Sequence, residues 1–219
     1  MTHLNELQKI TYGLIGLMLL FNFASSIAIY EQEIDDDYGG ANVKYYLDEA
    51  EINSEEDGKD SLSYSNLGFS EMEDFMTNLG HLTLLLLLAS AFLAWKIKEM
   101  IDGSDDLEMV QNAGYAVSVL AILSTLYPVY GIPNALEDDW RDGAFDEGDG
   151  IIDYDGGFIG EEKINDSEYG KMVIDSGPEM GWYVLVLGGI LGILIYNRVK
   201  NLEDLGPSRK LPEIPTKLP

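Results

Sequence analysis

The sequence predicts an α-helical integral membrane protein, a four-transmembrane-helix bundle with a small, β-containing acidic extracellular domain formed by two loops. Three observations predict it. Four apolar runs, Ile10–Tyr30, Leu79–Trp95, Ala113–Ile132 and Gly181–Tyr196, contain no Asp, Glu, Lys or Arg, and a helix needs roughly 17–25 residues to cross the hydrocarbon core. The net charge of −26 sits between the runs: residues 31–78 carry fifteen acidic and two basic side chains, and residues 134–180 carry fifteen and three. Lys9, Lys96, Lys98, Arg198 and Lys200 lie beside the runs on one side, which the positive-inside rule makes cytoplasmic.

Residues 1–9 are a cytoplasmic lead, and the first span covers 10–30, with Tyr12 and Tyr30 at its ends where aromatic rings favour the headgroup zone. A signal peptide cleaved near Ala24 or Ala28 competes, but a single Lys9 before a long apolar stretch fits a retained anchor better. The first acidic extracellular loop is 31–78. Near its end Ser70-Glu71-Met72-Glu73 has the capping-box pattern, with Met72, Phe75, Met76 and Leu79 at helical spacing, so the second helix is expected to start ahead of its span, 79–95. A cytoplasmic loop, 96–112, follows, and Asp105 and Glu108 mark the start of the third helix. Its span is 113–132, where Pro128, with Gly131 and Pro133 after it, is expected to kink or end the helix. The second acidic loop, 133–180, leads through Ser176, Pro178 and Glu179 into the fourth span, 181–196. The Pro-rich remainder, 197–219, reads as an extended cytoplasmic tail.

The outer loops carry short β-prone runs: Val43-Lys44-Tyr45-Tyr46-Leu47, Ile151-Ile152-Asp153-Tyr154, Phe158-Ile159 and Met172-Val173-Ile174. One mostly antiparallel sheet shared by both loops is expected, with Asp155-Gly156-Gly157 turning a hairpin. A disordered acidic ectodomain is the alternative. The order span, acidic loop, span occurs twice, and 33–40 loosely echoes 151–157, so a parallel internal duplication is a further reading. With no cysteine, thiol chemistry is excluded, and the loops must be held by packing, partners or cations.

Candidate functional residues follow from the charge. An acidic surface attracts cations and repels nucleic acid; a halophilic or marine-type composition explains the same acidity without a specific partner. Asp153, Asp155, Gly156 and Glu162 fit positions three, five, six and twelve of an EF-hand calcium loop, but Ile151 occupies the first position, so Asp153, Asp155 and Glu162 are candidates for an irregular Ca2+ site. Asp146, Glu147, Asp149 and Glu161 cluster with them, and Asp35, Asp36 and Asp37 form a second acidic group. Gly188 and Gly192 are a small-xxx-small pair, a helix-packing face for this chain or another. The spans offer only Asn22, Ser25, Ser26, Thr83, Ser90, Ser118, Ser124 and Thr125 as polar groups, which argues against a proton-coupled pump. With His3 and His81 the only histidines and no nucleophile–base pair, no enzyme is expected.

Four spans, inward termini, two outer loops and a short inner loop resemble the layout of the tetraspan membrane proteins, the claudins and tetraspanins, without their cysteine motifs. The resemblance implies lateral organisation, adhesion or assembly in the cell membrane. The expected partners are the lipid bilayer, further copies of the chain or other membrane proteins, and divalent cations. An oligomeric cation channel with an acidic vestibule and an accessory subunit of a larger complex remain as alternatives.

Overall fold

The computed structural model describes residues 2–24, 26–35, 39–54, 58–103, 106–141, 154–166 and 170–203. The helices are α1 (Thr2–Phe23), α2 (Ser70–Ile101), α3 (Leu107–Arg141) and α4 (Met180–Glu203). The strands are β1 (Tyr30–Asp35), β2 (Gly40–Tyr45), β3 (Ala50–Ser54), β4 (Gly58–Leu62), β5 (Gly160–Asp166) and β6 (Gly170–Pro178).

Three helices, α2, α3 and α4, are long and apolar enough to cross a membrane, and the chain is a membrane protein. The expected four-transmembrane bundle is therefore corrected to three membrane-length helices and a six-stranded antiparallel sheet. The difference lies in 24–30. α1 stops at Phe23, and Tyr30 opens β1. Ala28, Ile29 and Tyr30 are buried, and the Ile29 amide donates to the Tyr45 carbonyl at 2.8 Å. Hydropathy cannot separate apolar residues that face lipid from apolar residues that sit under a sheet. What remains of the run in α1, Ile10–Phe23, spans about 21 Å at 1.5 Å per residue, less than the roughly 30 Å of hydrocarbon.

The helices pack in a ring: α1 and α3 each touch α2 and α4. Leu14, Met18, Leu86, Leu93, Val117 and Leu185 fill the interior. Leu85, Leu88, Leu126, Leu187, Ile190 and Ile193 are exposed around the outside, an apolar belt that only lipid covers without cost. The hydroxyls within the helices are quenched by their own backbone, Ser90 donating to Leu86, Ser118 to Gly114 and Ser124 to Leu120, each within 2.8 Å. Two of the helix hydroxyls also bond across to a neighbouring helix: Thr83 donates to Asn22 Oδ1 at 2.9 Å, and Thr125 donates to the Leu185 carbonyl at 2.8 Å.

Neither proline ends α3, which runs through Pro128 and Pro133 to Arg141. Packing on α2 overrides the lost backbone bonds. At Gly131 the Phe75 ring occupies the space a Cβ would take, and that ring stacks on Tyr127 at 4.8 Å. Nor is the capping box formed. Residue Phe69 precedes α2 and no side chain of that segment caps it. The cap comes from the far end of α3: Asp139, 1% exposed, accepts from the Glu71 amide at 2.9 Å and the Met72 amide at 2.8 Å. A carboxylate there meets both the unpaired donors and the positive end of the helix dipole.

The sheet order is β4-β3-β2-β1-β6-β5, every pair antiparallel. The segment between α1 and α2 supplies a four-strand meander, and the segment between α3 and α4 supplies β5 and β6, joined through β1–β6. The strand expected at 151–154 lies outside the described residues except Tyr154, which is not in a strand. Phe158 and Ile159 form a bend ahead of β5 rather than a strand, so Asp155-Gly156-Gly157 joins no strand pair among the described residues. The inner face of the sheet presents Tyr30, Gln32, Val43, Tyr45, Ile174 and Ser176 to an aromatic layer of Phe69, Trp140, Tyr154, Phe158 and Trp182. The start of α4 is tied to the residues just before β1 by backbone bonds, the Glu179 amide donating to Ile29 at 3.0 Å and the Gly181 amide to Ala28 at 2.7 Å.

Replacing Asp139 with Ala removes two charge-assisted bonds from a buried site, so Asp139→Ala is expected to cost about 2 kcal/mol and to lower the melting temperature in detergent. Asp139→Asn keeps one acceptor and is expected to melt between that variant and the parent. A Cβ on Gly192 lies 2.6 Å from that of Ala121, so Gly192→Leu is expected to destabilise the single chain, again read by melting.

Candidate functional site

Alternation along the strands puts one set of side chains outward, and that set is acidic. The register lines up Asn53, Asn42, Glu33, Asp175 and Glu161 across β3, β2, β1, β6 and β5. Glu33, Asp175 and Glu161 are exposed. Like charges directly opposite on adjacent strands are destabilising, and here they are opposite twice in succession. Glu161 pairs with Lys163 at 2.6 Å, whereas Glu33 and Asp175 pair with no basic side chain among the described residues. The next row holds Glu51, Lys44 and Glu31, where Lys59 reaches Glu51 at 2.8 Å.

At the sheet–α4 junction, Lys44 Nζ lies 3.5 Å from Glu31 and 3.2 Å from Glu179, while Asn42 donates to Glu31. Glu31 and Glu179 share a hydrogen bond, which holds Glu31 above its ordinary 4.5, helped by partial burial, and holds Glu179 below it. Above Gly177, Glu31, Glu33 and Asp175 border an open groove of about 240 Å3.

The second feature lies on the inner side of edge strand β5. Glu162 stands opposite Ile174 in register, which turns an acid toward the buried face. Its Oε1 accepts from the Asp155 amide at 2.9 Å; its Oε2 is buried and has no hydrogen-bond partner among the described residues. Beside it is a cavity of about 260 Å3 lined by Tyr154, Gly157, Ile159, Glu162, Ile174 and Ser176, among others. Behind the cavity runs a polar network: Gln32 Nε2 donates to Tyr154 at 3.1 Å and to Ser176 at 3.4 Å, and Tyr45 donates to Gln32 Oε1 at 2.6 Å. Burial first, and the Glu162 charge as a lesser cause, raise the Tyr154 phenol, so it is a neutral hydroxyl. Gly156 has no side chain because the Tyr154 ring fills that place.

Of the three candidate calcium ligands, Asp153 lies outside the described residues, as do Asp146, Glu147, Asp149, Asp36 and Asp37. Asp155 and Glu162 are brought together, through the backbone amide of the first and the carboxylate of the second. Among the described residues no group of three or more His, Asp or Glu side chains is placed to hold a metal ion. Gly188 faces Met18 and Leu14 of α1, and Gly192 faces Ala121 and Ser118 of α3, so both glycines serve packing within the chain. Sequence reasoning missed Asp139, although it continues the buried helical spacing of Ile132, Ala135 and Leu136. It also missed Gln32, which shares the inward alternation of Tyr30 and Ile34.

The Glu31 proton stabilises the fold fully below pH 4.5, and this contribution is lost as pH rises through the raised value. Glu179 acts in the opposite sense: its contribution is present above pH 4.5 and lost as pH falls through the lowered value. Glu31→Gln keeps a donor for Glu179 at every pH, so the melting temperature of this variant relative to the parent is expected to grow as pH is raised above 4.5, read by melting curves across that interval. No protein-family model and no curated protein matches the chain, and its chemistry is read from these residues alone.

Proposed function

We propose that this chain is a non-enzymatic membrane protein that works by assembly, presenting its acidic sheet to a cationic partner outside the cell. One observation carries the reading: Glu33 and Asp175 are set side by side, exposed, with no basic partner among the described residues. That arrangement costs the isolated fold stability, and a cationic surface laid across it removes the cost. The packing of Gly188 and Gly192 against α1 and α3 shifts the contact with a partner from the helices to the sheet.

The orientation belongs to the same proposal. Lys96, Lys98, Arg198 and Lys200 lie at the ends of α2 and α4 remote from the sheet, and Lys9 lies in the first half of α1. The positive-inside rule assigns that end, with the end of α4, to the cytoplasm and the sheet to the exterior. Cation passage through one chain is not advanced, because Leu14, Leu86, Val117 and Leu185 occupy its interior.

A fluorescent octalysine peptide titrated against the full chain in nanodiscs tests the function. Saturable binding that weakens with added salt is expected, reduced about tenfold in the Glu33→Gln/Asp175→Asn double variant, as two surface contacts of roughly 0.7 kcal/mol each would give. Equal binding by parent and double variant would falsify the reading.

A further inference from the structure

We propose that the cavity beneath β5 takes a primary ammonium group, of the kind that ends a lysine side chain, with Glu162 as its counter-ion. The inference rests on the reading of the protein as a binder of cationic partners and names the group that one of its sites selects.

An acid on the buried face of a strand costs free energy unless its oxygens are bonded. Glu162 meets half of that requirement: Oε1 holds the Asp155 amide, and Oε2 is buried with no partner among the described residues. The cavity it borders holds about 260 Å3. The other polar groups on its wall include the Asp155 and Glu161 carboxylates, the Tyr154 and Ser176 hydroxyls, which already receive the Gln32 amide protons, and backbone oxygens such as that of Gly157. The hydroxyls and backbone oxygens retain accepting capacity. The lining therefore offers an excess of negative charge and several neutral acceptors, with Ile159 and Ile174 as apolar walls.

This inventory selects among cations. Calcium takes six to eight oxygens and several carboxylates, as a rule of roughly that size, and among the described residues no group of three acids is placed to hold a metal ion. Guanidinium prefers both oxygens of a carboxylate in a fork, but Oε1 is already engaged. An ammonium presents three donors around one point and needs a single free carboxylate oxygen plus neutral acceptors. Its methylene stem packs on Ile159 and Ile174. An anion is repelled. Glu161, also on the cavity wall, is already paired with Lys163.

Trp140 stacks on Tyr154 at 6.0 Å and is one of three tryptophans, so its emission reports on this cavity. The full chain in nanodiscs is titrated with n-butylammonium and, separately, with n-butylguanidinium. A saturable change with the ammonium, about tenfold weaker with the guanidinium, is expected. Glu162→Gln should weaken the ammonium response about tenfold or more. Absence of a saturable response, equal response to the two cations, or a Glu162→Gln variant that titrates like the parent overturns the proposal. The comparison of the two cations needs no variant, so it decides even if Glu162→Gln does not fold. Octalysine binding that depends on Glu33 and Asp175 while butylammonium is silent sinks this inference alone. A butylammonium response without octalysine binding sinks the sheet-face reading alone.

Discussion

The upper half of the molecule hangs on one carboxylate. Asp139 closes the first turn of α2 from the last turn of α3 and so fixes how far the two longest helices slide along each other. Its neighbour Trp140 stacks on Tyr154, and Phe69, just before the capped turn, packs on Tyr45. The same short stretch therefore sets both the top of the helix pair and the floor on which the sheet rests. A buried acid is tolerated there because helix amides receive both of its oxygens.

Two solvents shape the chain, and its polar residues divide accordingly. Inside the helical ring, hydroxyls are turned back on their own turns and charge is absent from the centre, as lipid requires. Under the sheet, a network of Gln32, Tyr45, Tyr154 and Ser176 is satisfied within itself. On the outside of the sheet, Glu33 and Asp175 face each other with no basic partner among the described residues. That pair and the unpartnered Glu162 Oε2 depart from what stability favours, and there the chemistry of recognition lies.

Much of this was legible in the residues. Long uncharged runs mark α2, α3 and α4, and the β-prone segments around Val43 and Met172 mark one antiparallel sheet built from both acidic segments. The first run misled because Ile29 and Tyr30 are as apolar as a lipid-facing pair but are buried by strand β2. The local capping pattern at Ser70 misled because a residue 68 positions away supplies the cap. Pro128 and Pro133 misled because their helix is braced by Phe75 and its neighbours. The inward turn of Glu162 was hidden because it depends on pairing with β6, and a strand's register is not written in its own residues.

The central pairing of β1 with β6 also imposes a sequence of events on the newborn chain. Tyr30 and Pro178 meet across the middle of the sheet, so the meander made early waits, with one edge open, until the segment that follows α3 has delivered β6. Open strand edges invite the wrong neighbour, and contacts between distant parts of a chain form late. Completion of the outer layer thus serves as a receipt for passage of α3: a polypeptide halted before β6 cannot seal its own surface.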